Sequence, residues 1–181
     1  DSTLEVNGKA ATIIGEDWEI TISLDYGENK ILLLAKDKLG NETNKELTII
    51  VYHKIEIKLA IGSLNVQING VSSDEPLSAA PYIRNGKTFV PLRVISEALG
   101  AKVEWISDVK GIVIEFMDKK IEMQVGSKRA VVNGKVVELD TPPEITDGVT
   151  FVPIRFVADM LGAEVEWIEE TREIIIKVLV Y

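Results

Sequence analysis

The feature that most constrains this chain is a stretch it contains twice. Residues 88–106 read Thr-Phe-Val-Pro-Leu-Arg-Val-Ile-Ser-Glu-Ala-Leu-Gly-Ala-Lys-Val-Glu-Trp-Ile. Residues 150–168 read Thr-Phe-Val-Pro-Ile-Arg-Phe-Val-Ala-Asp-Met-Leu-Gly-Ala-Glu-Val-Glu-Trp-Ile. The second stretch starts 62 residues after the first, and the alignment runs without a gap from Thr88 to Phe116. Upstream, Ile55 to Gly70 aligns with the segment ending at Asn133-Gly134 at an offset of 64, and Pro81-to-Gly86 aligns with Pro143-to-Gly148 at 62 again. The loop after Asn69-Gly70 is therefore two residues longer in the first copy. A repeat on this scale means one structural unit built twice.

Each copy predicts the same element order. Two short strands flank a Gly-Ser turn, an Asn-Gly pair follows, and a third strand enters Thr-Phe-Val-Pro. Pro91 and Pro153 suit a first helical position, where a missing N–H costs nothing. Leu92, Ile95, Ala98 and Leu99 recur at helical spacing, as do Ile154, Val157, Met160 and Leu161. Gly100 and Gly162 close the helices. A helix of about two turns does not form alone in water, so packing against strands must hold it. Val103-Glu104-Trp105 and Val165-Glu166-Trp167 begin a final pair of strands ending at Phe116 and Val180. The unit reads β-β-β-α-β-β, an antiparallel sheet on one helix. Its expected core is Phe89, Leu99 and Trp105 in one copy, and Phe151, Leu161 and Trp167 in the other. The tryptophans are placed inside because they share the parity of Val103 and Val165. The two copies are expected to pack on each other as a pseudo-dimer.

Residues 1–54 read differently. Val6-Asn7-Gly8-Lys9 carries the strongest short hairpin signal. Trp18 to Leu24 alternates with period two, as a half-buried strand does. Ile31 to Ala35 is an apolar run suited to a strand covered on both faces. Turn residues stand between these runs, at Asp25–Asn29 and Asp37–Asn41, so an all-β sandwich is expected. Asp37, Asn41 and Glu42 are weighed as calcium ligands against a turn that uses them for backbone hydrogen bonds. From Leu47 to Ile61 the period-two pattern continues without Gly, Ser or Pro, so a stiff junction is expected. His53, the single histidine, lies in it. It is read as a side chain satisfied by a hydrogen bond, with a pH-sensing role as the alternative.

Two resemblances follow. Leu24-Asp-Tyr-Gly27-Glu-Asn29, followed by Ala35-Lys-Asp37-Lys-Leu-Gly40-Asn41, resembles bacterial immunoglobulin-like repeats and glucodextranase-type accessory domains. Such domains run longer, so earlier strands are expected outside this sequence, which opens at Asp1 and reads as an excised or mature piece. Residues 55–178 resemble the copper amine oxidase N-terminal-like domain, also called a stalk domain. The resemblance rests on Asn-Gly, Gly-x-Thr-Phe-Val-Pro, the helical Arg, Leu-Gly-Ala and Val-x-Trp. It implies a five-stranded antiparallel sheet wrapped on a helix, without catalysis, occurring in tandem in bacterial envelope proteins. The fold class is thus mainly β with two short helices (α+β). The division is an Ig-like module at 1–54, one repeat at 55–116 and another at 117–181.

Chemistry is sparse in the letters. Amine oxidase activity needs three histidines for copper and an Asn-Tyr-Asp/Glu motif, and Tyr26, Tyr52, Tyr82 and Tyr181 all lack the preceding Asn. Cysteine is absent, which excludes disulfides and thiolate chemistry. A net charge of −9 disfavours nucleic acid. No apolar run reaches the length of a membrane span. Glu104 and Glu166 sit at equivalent places of separate copies, which suits a solvated strand face better than a catalytic pair. No catalytic residue, metal or cofactor is expected. Arg93 and Arg155 stand in first helical turns, where the macrodipole disfavours a cation. A tertiary partner is inferred for them, with a ligand carboxylate as the alternative. Trp18 and Tyr82 are the candidates for exposed contacts. The expected function is a non-catalytic module of a bacterial envelope or extracellular protein, acting as rigid spacer, anchor or interaction domain, with possible self-association. A carbohydrate- or peptidoglycan-binding module is the alternative, so the expected partner is a cell-wall glycan or another envelope protein.

Overall fold

A computed structural model describes residues 2–181. It divides into two compact units, one running up to His53 together with Tyr181, the other Lys54–Val180.

The first unit contains β1 (Thr3–Val6), β2 (Lys9–Ala10), β3 (Thr12–Ile14), β4 (Asp17–Glu19), β5 (Gly27–Lys36) and β6 (Glu42–Val51). They form one four-stranded sheet, β2-β1-β5-β6, and a separate β3–β4 hairpin. The Asn7-Gly8 turn joins Val6 to Lys9, with both central residues at positive φ as a two-residue hairpin requires. The Asn7 side chain accepts the Leu32 N–H at 2.8 Å, tying the turn to the next strand.

Three expectations change in this unit. The strand expected from Trp18 to Leu24 ends at Glu19. The Ile31–Ala35 run is not covered on both faces. Ile31 and Val6 lie on one face and are buried, whereas Leu32, on the other, is 49% exposed. An apolar run gives strand length but not the number of layers above it. His53 packs against the Tyr26 ring, with centroids 4.5 Å apart, yet its buried Nδ1 has no hydrogen-bond partner among the described residues. Asp37 belongs to its own turn: its carboxylate accepts the Leu39 and Asn41 N–H groups and the Asn41 side-chain amide. Those bonds, the Asn41 amide foremost, hold its pKa below the usual aspartate value.

The second unit contains β7 (His53–Ala60), whose first residue belongs to the preceding unit, then β8 (Val66–Ile68), β9 (Val71–Ser72), β10 (Tyr82–Arg84) and β11 (Lys87–Pro91). Next come α1 (Leu92–Leu99), β12 (Lys102–Ile106), β13 (Gly111–Phe116), β14 (Lys119–Gln124), β15 (Arg129–Val132) and β16 (Lys135–Glu138). The chain ends with β17 (Glu144–Thr146), β18 (Val149–Pro153), α2 (Ile154–Leu161), β19 (Glu164–Ile168) and β20 (Glu173–Val180).

The strands of the two copies are exchanged. One five-stranded sheet runs β12-β13-β14-β15-β16, the other β19-β20-β7-β8-β9. Each therefore joins the last two strands of one copy to the first three of the other. The expected sheet-per-copy arrangement is replaced by this interlocked one. The join between β13 and β14 is a tight turn closing on Phe116 and Lys119. The join between β20 and β7 has no covalent link and brings together the two ends of the unit's sequence. The same backbone bond marks both joins: Val125 N–H to Lys110 C=O, and Ile61 N–H to Arg172 C=O, each 3.0 Å.

A third sheet, β10-β11-β18-β17, lies at the centre of the repeat symmetry. Val90 pairs with Val152, its own counterpart, and Phe89–Pro153 is the image of Pro91–Phe151. A pseudo-twofold axis thus passes between Val90 and Val152, and neither side chain is exposed at all. One continuous core takes residues from both copies, with Ile57, Ile95, Ile114, Ile121, Val157 and Ile176 among the most buried. The helices are eight residues each and bury Ile95 and Leu99, or Val157 and Leu161, in that core. Pro91 and Pro153 are N-cap residues in extended conformation, not first helical residues, because each also ends a strand. Gly100 and Gly162 adopt the left-handed conformation that ends a helix.

Candidate functional site

Phe89, Leu99, Phe151 and Leu161 are buried, but Trp105 is 43% and Trp167 39% exposed. The core placement of the tryptophans is thus corrected. Both sit on edge strands, β12 and β19. Parity with Val103 and Val165 fixes their face, and that face is open at the sheet edge. Val103 and Val165 are themselves exposed.

Tyr82 is also corrected. It is half-buried, stacks on Phe89 at 5.3 Å and meets Phe151 edge-on at 4.8 Å. Its hydroxyl donates to Glu144, its counterpart in the other copy, and Arg84 pairs with the same carboxylate. Tyr82 therefore seals the aromatic pair beside the pseudo-dyad. Trp18 is 47% exposed, opposite Ile13 in the β3–β4 hairpin.

Beside Trp105 runs a groove of about 860 Å³. One wall comes from the first copy: Arg93 on α1, with Val103 and Trp105 on β12. The other comes from the second copy: Ile145 on β17 and Val149 on β18. Ser78 lies at its margin. The pairing of β11 with β18 joins the two copies here, and the lining takes residues from both, so neither copy alone holds the site. Among the described residues, nothing accepts the Trp105 indole N–H, whereas that of Trp167 donates to Glu169.

The matching positions in the second copy carry a cluster of charges. Ser78 corresponds to Asp140, Val149 to Lys87 and Arg93 to Arg155. Asp140 accepts from Lys87 Nζ at 3.2 Å and from Arg155 Nη1 at 2.6 Å. The Lys87 ammonium first, then the Arg155 guanidinium, hold the Asp140 carboxyl below the usual carboxylate range. Among the described residues, the ion-pair partner of Arg93 is Glu97, one turn on, at 3.8 Å, with both side chains largely exposed. Such a pair contributes little. Sequence reasoning singled out the arginines but missed Ser78, Asp140, Lys87 and Val149. Aligning the copies at these positions is the signal that would have found them.

The Asp140 network sets a pH expectation. A carboxyl whose folded pKa is lowered adds stability above its unfolded value, about 3.9, and loses it as pH falls through the folded value. A carbon-13 titration should place the Asp140 midpoint below that of a free aspartate. Lys87→Ala should move it upward. An ordinary midpoint unaffected by Lys87→Ala would show that the network does not form in solution.

The acids at Glu104 and Glu166 remain in separate sheets, and Glu166 pairs with Lys177 at 3.1 Å. Among the described residues, no group of three His, Asp or Glu is placed to hold a metal ion. Among the described residues, no helix is long and apolar enough to cross a membrane.

Fold and site define a mainly β, two-helix module with a groove lined by both of its copies. The chain belongs to the copper amine oxidase N-terminal domain family, a non-catalytic N-terminal domain, whose model matches residues 67–176. Residues 1–53 match the family model of glucodextranase, domain B. A protease inhibitor of Brevibacillus choshinensis is 30% identical over 106 residues, 58% of this chain and 32% of that protein. The chain thus spans about a third of that relative's length. No solved structure matches it.

Proposed function

We propose that this chain is a non-catalytic protein-interaction module of a bacterial envelope or extracellular protein. In this reading an Ig-like domain leads through a stiff junction into a stalk-type double repeat that holds a partner protein in the Trp105 groove. The observation that carries it is the groove itself: a ligand-sized cleft with Val103, Trp105, Ile145 and Val149 beside Arg93 and Glu97, where the matching positions of the other copy hold the Lys87–Asp140–Arg155 cluster. The relative described as a protease inhibitor is in keeping with a role in binding protein rather than transforming a substrate.

A glycan-binding module is the second reading, and the exposure of Trp18, Trp105 and Trp167 favours it. Those rings lie on separate sheets, β4 in one and β12 and β19 in two others. One experiment separates the readings. The purified chain is sedimented with bacterial envelopes, with protease-stripped walls and with insoluble polysaccharides. Retention on envelopes that stripping abolishes, and that Trp105→Ala reduces about tenfold, is expected. Full retention on stripped walls or polysaccharide would replace the protein-binding reading with the glycan one.

A further inference from the structure

The two copies carry one interaction in complementary halves. In the second copy a carboxylate, Asp140, sits against Arg155 at 2.6 Å, and Arg155 takes it rather than Asp159 one turn on. In the first copy Arg93 stands in the same place on α1, and the position of Asp140 is held by Ser78, too short to reach it. Val149 replaces Lys87, so the competing cation is gone too. What remains is an exposed guanidinium, paired at 3.8 Å with the equally exposed Glu97 one turn on, beside the apolar side chains of Val103, Trp105 and Ile145. The carboxylate of the groove is Glu97, on the same helix as Arg93 and 3.8 Å from it, whereas Arg155 draws its carboxylate from Asp140, outside its helix, at 2.6 Å; the position that supplies that second acid holds Ser78 in the first copy.

A second feature sets the shape of the occupant. Strand β12 forms this wall and is the edge of its sheet, so one side of its backbone is unpaired among the described residues. An edge of that kind accepts an added strand through main-chain hydrogen bonds, with alternate side chains entering the groove. An extended peptide satisfies the edge, the apolar wall and the arginine together.

We propose that the groove binds an extended segment of a partner protein that pairs with β12, lays an apolar side chain on Trp105 and Val103, and sets an Asp or Glu carboxylate on Arg93. This rests on the protein-interaction reading and names the partner chemistry of the same site. The fork geometry of guanidinium suits a carboxylate better than a single-point amide acceptor would.

The test is selection from a phage-displayed random heptapeptide library, in which carboxylates come only from Asp and Glu side chains. The full chain should enrich peptides with an acid beside an apolar residue. For a synthetic copy of an enriched peptide, changing the acid to its amide should weaken binding about tenfold or more, as should Arg93→Gln. Ser78→Asp, which copies the second half into the first, should abolish binding while leaving the melting temperature unchanged. The double change Lys87→Val with Asp140→Ser should raise the stoichiometry from one toward two. Enriched peptides without acids, or full binding by Ser78→Asp, would overturn the carboxylate assignment and leave a protein-binding groove standing. No enrichment at all would overturn the peptide-segment assignment, while the sedimentation result would still decide between protein and glycan.

Discussion

A Phe151→Ala variant is expected to melt roughly 10 to 20 °C below the parent, with Trp105 and Trp167 losing their native environments at one common midpoint. Phe151 is among the most buried large side chains, pairs with Pro91 across the pseudo-dyad and carries the edge of the Tyr82 ring. Truncating a buried phenylalanine costs about 3–5 kcal/mol, counting both lost transfer energy and the cavity left behind. The common midpoint follows from the interlocked sheets: a fault in the second copy weakens a core that the first copy shares. Fluorine NMR of 5-fluorotryptophan-labelled protein follows the two tryptophans separately. If Trp167 melted early while Trp105 kept the parental midpoint, the copies would be independent.

Ending the chain after Arg172 should have a larger effect still. The cut removes β20, which lies between β19 and β7, and with it the buried Ile174, Ile176, Val178 and Val180. Strand β7 then loses a neighbour along its length, and Ile57 and Leu59 lose their cover, although both belong to the other copy. The whole Lys54–Val180 unit is expected to unfold at room temperature, because the loss exceeds what a marginally stable domain tolerates. Amide exchange reads this directly. Retained protection at Ile57 and Leu59 in the truncated chain would mean that the first copy folds by itself.

What the letters disclosed was local. The Asn-Gly turns, the Gly100 and Gly162 helix ends and the apolar faces of both helices are set by backbone sterics and periodicity within a few residues. The strand exchange was not legible, because the alternatives are chemically equivalent. Ile114 and Ile176 hold the same position in the two copies, so Ile57 meets a sheet face of the same apolar character whichever copy lies beside it. Trp105 was misplaced for a related reason. Period two gives the face of a residue, not whether β12 has a neighbour beyond it. Tyr82 was misjudged because its partners, Phe151 and Glu144, come from the other copy. The substitution of Ser78 for Asp140 was written in the alignment throughout. Its meaning needed the distance between Asp140 and Arg155, which spacing along the chain does not give.

The central claim is that the two copies complete each other, and the direct measurement is the set of cross-strand nuclear Overhauser effects at Ile57 in the intact monomer. The account predicts contacts from β7 to residues 173–180, with matching contacts between Ile114 and Ile121 across β13 and β14. Contacts from Ile57 to residues 111–116 instead would give each copy its own sheet and would dismantle the interlocked core.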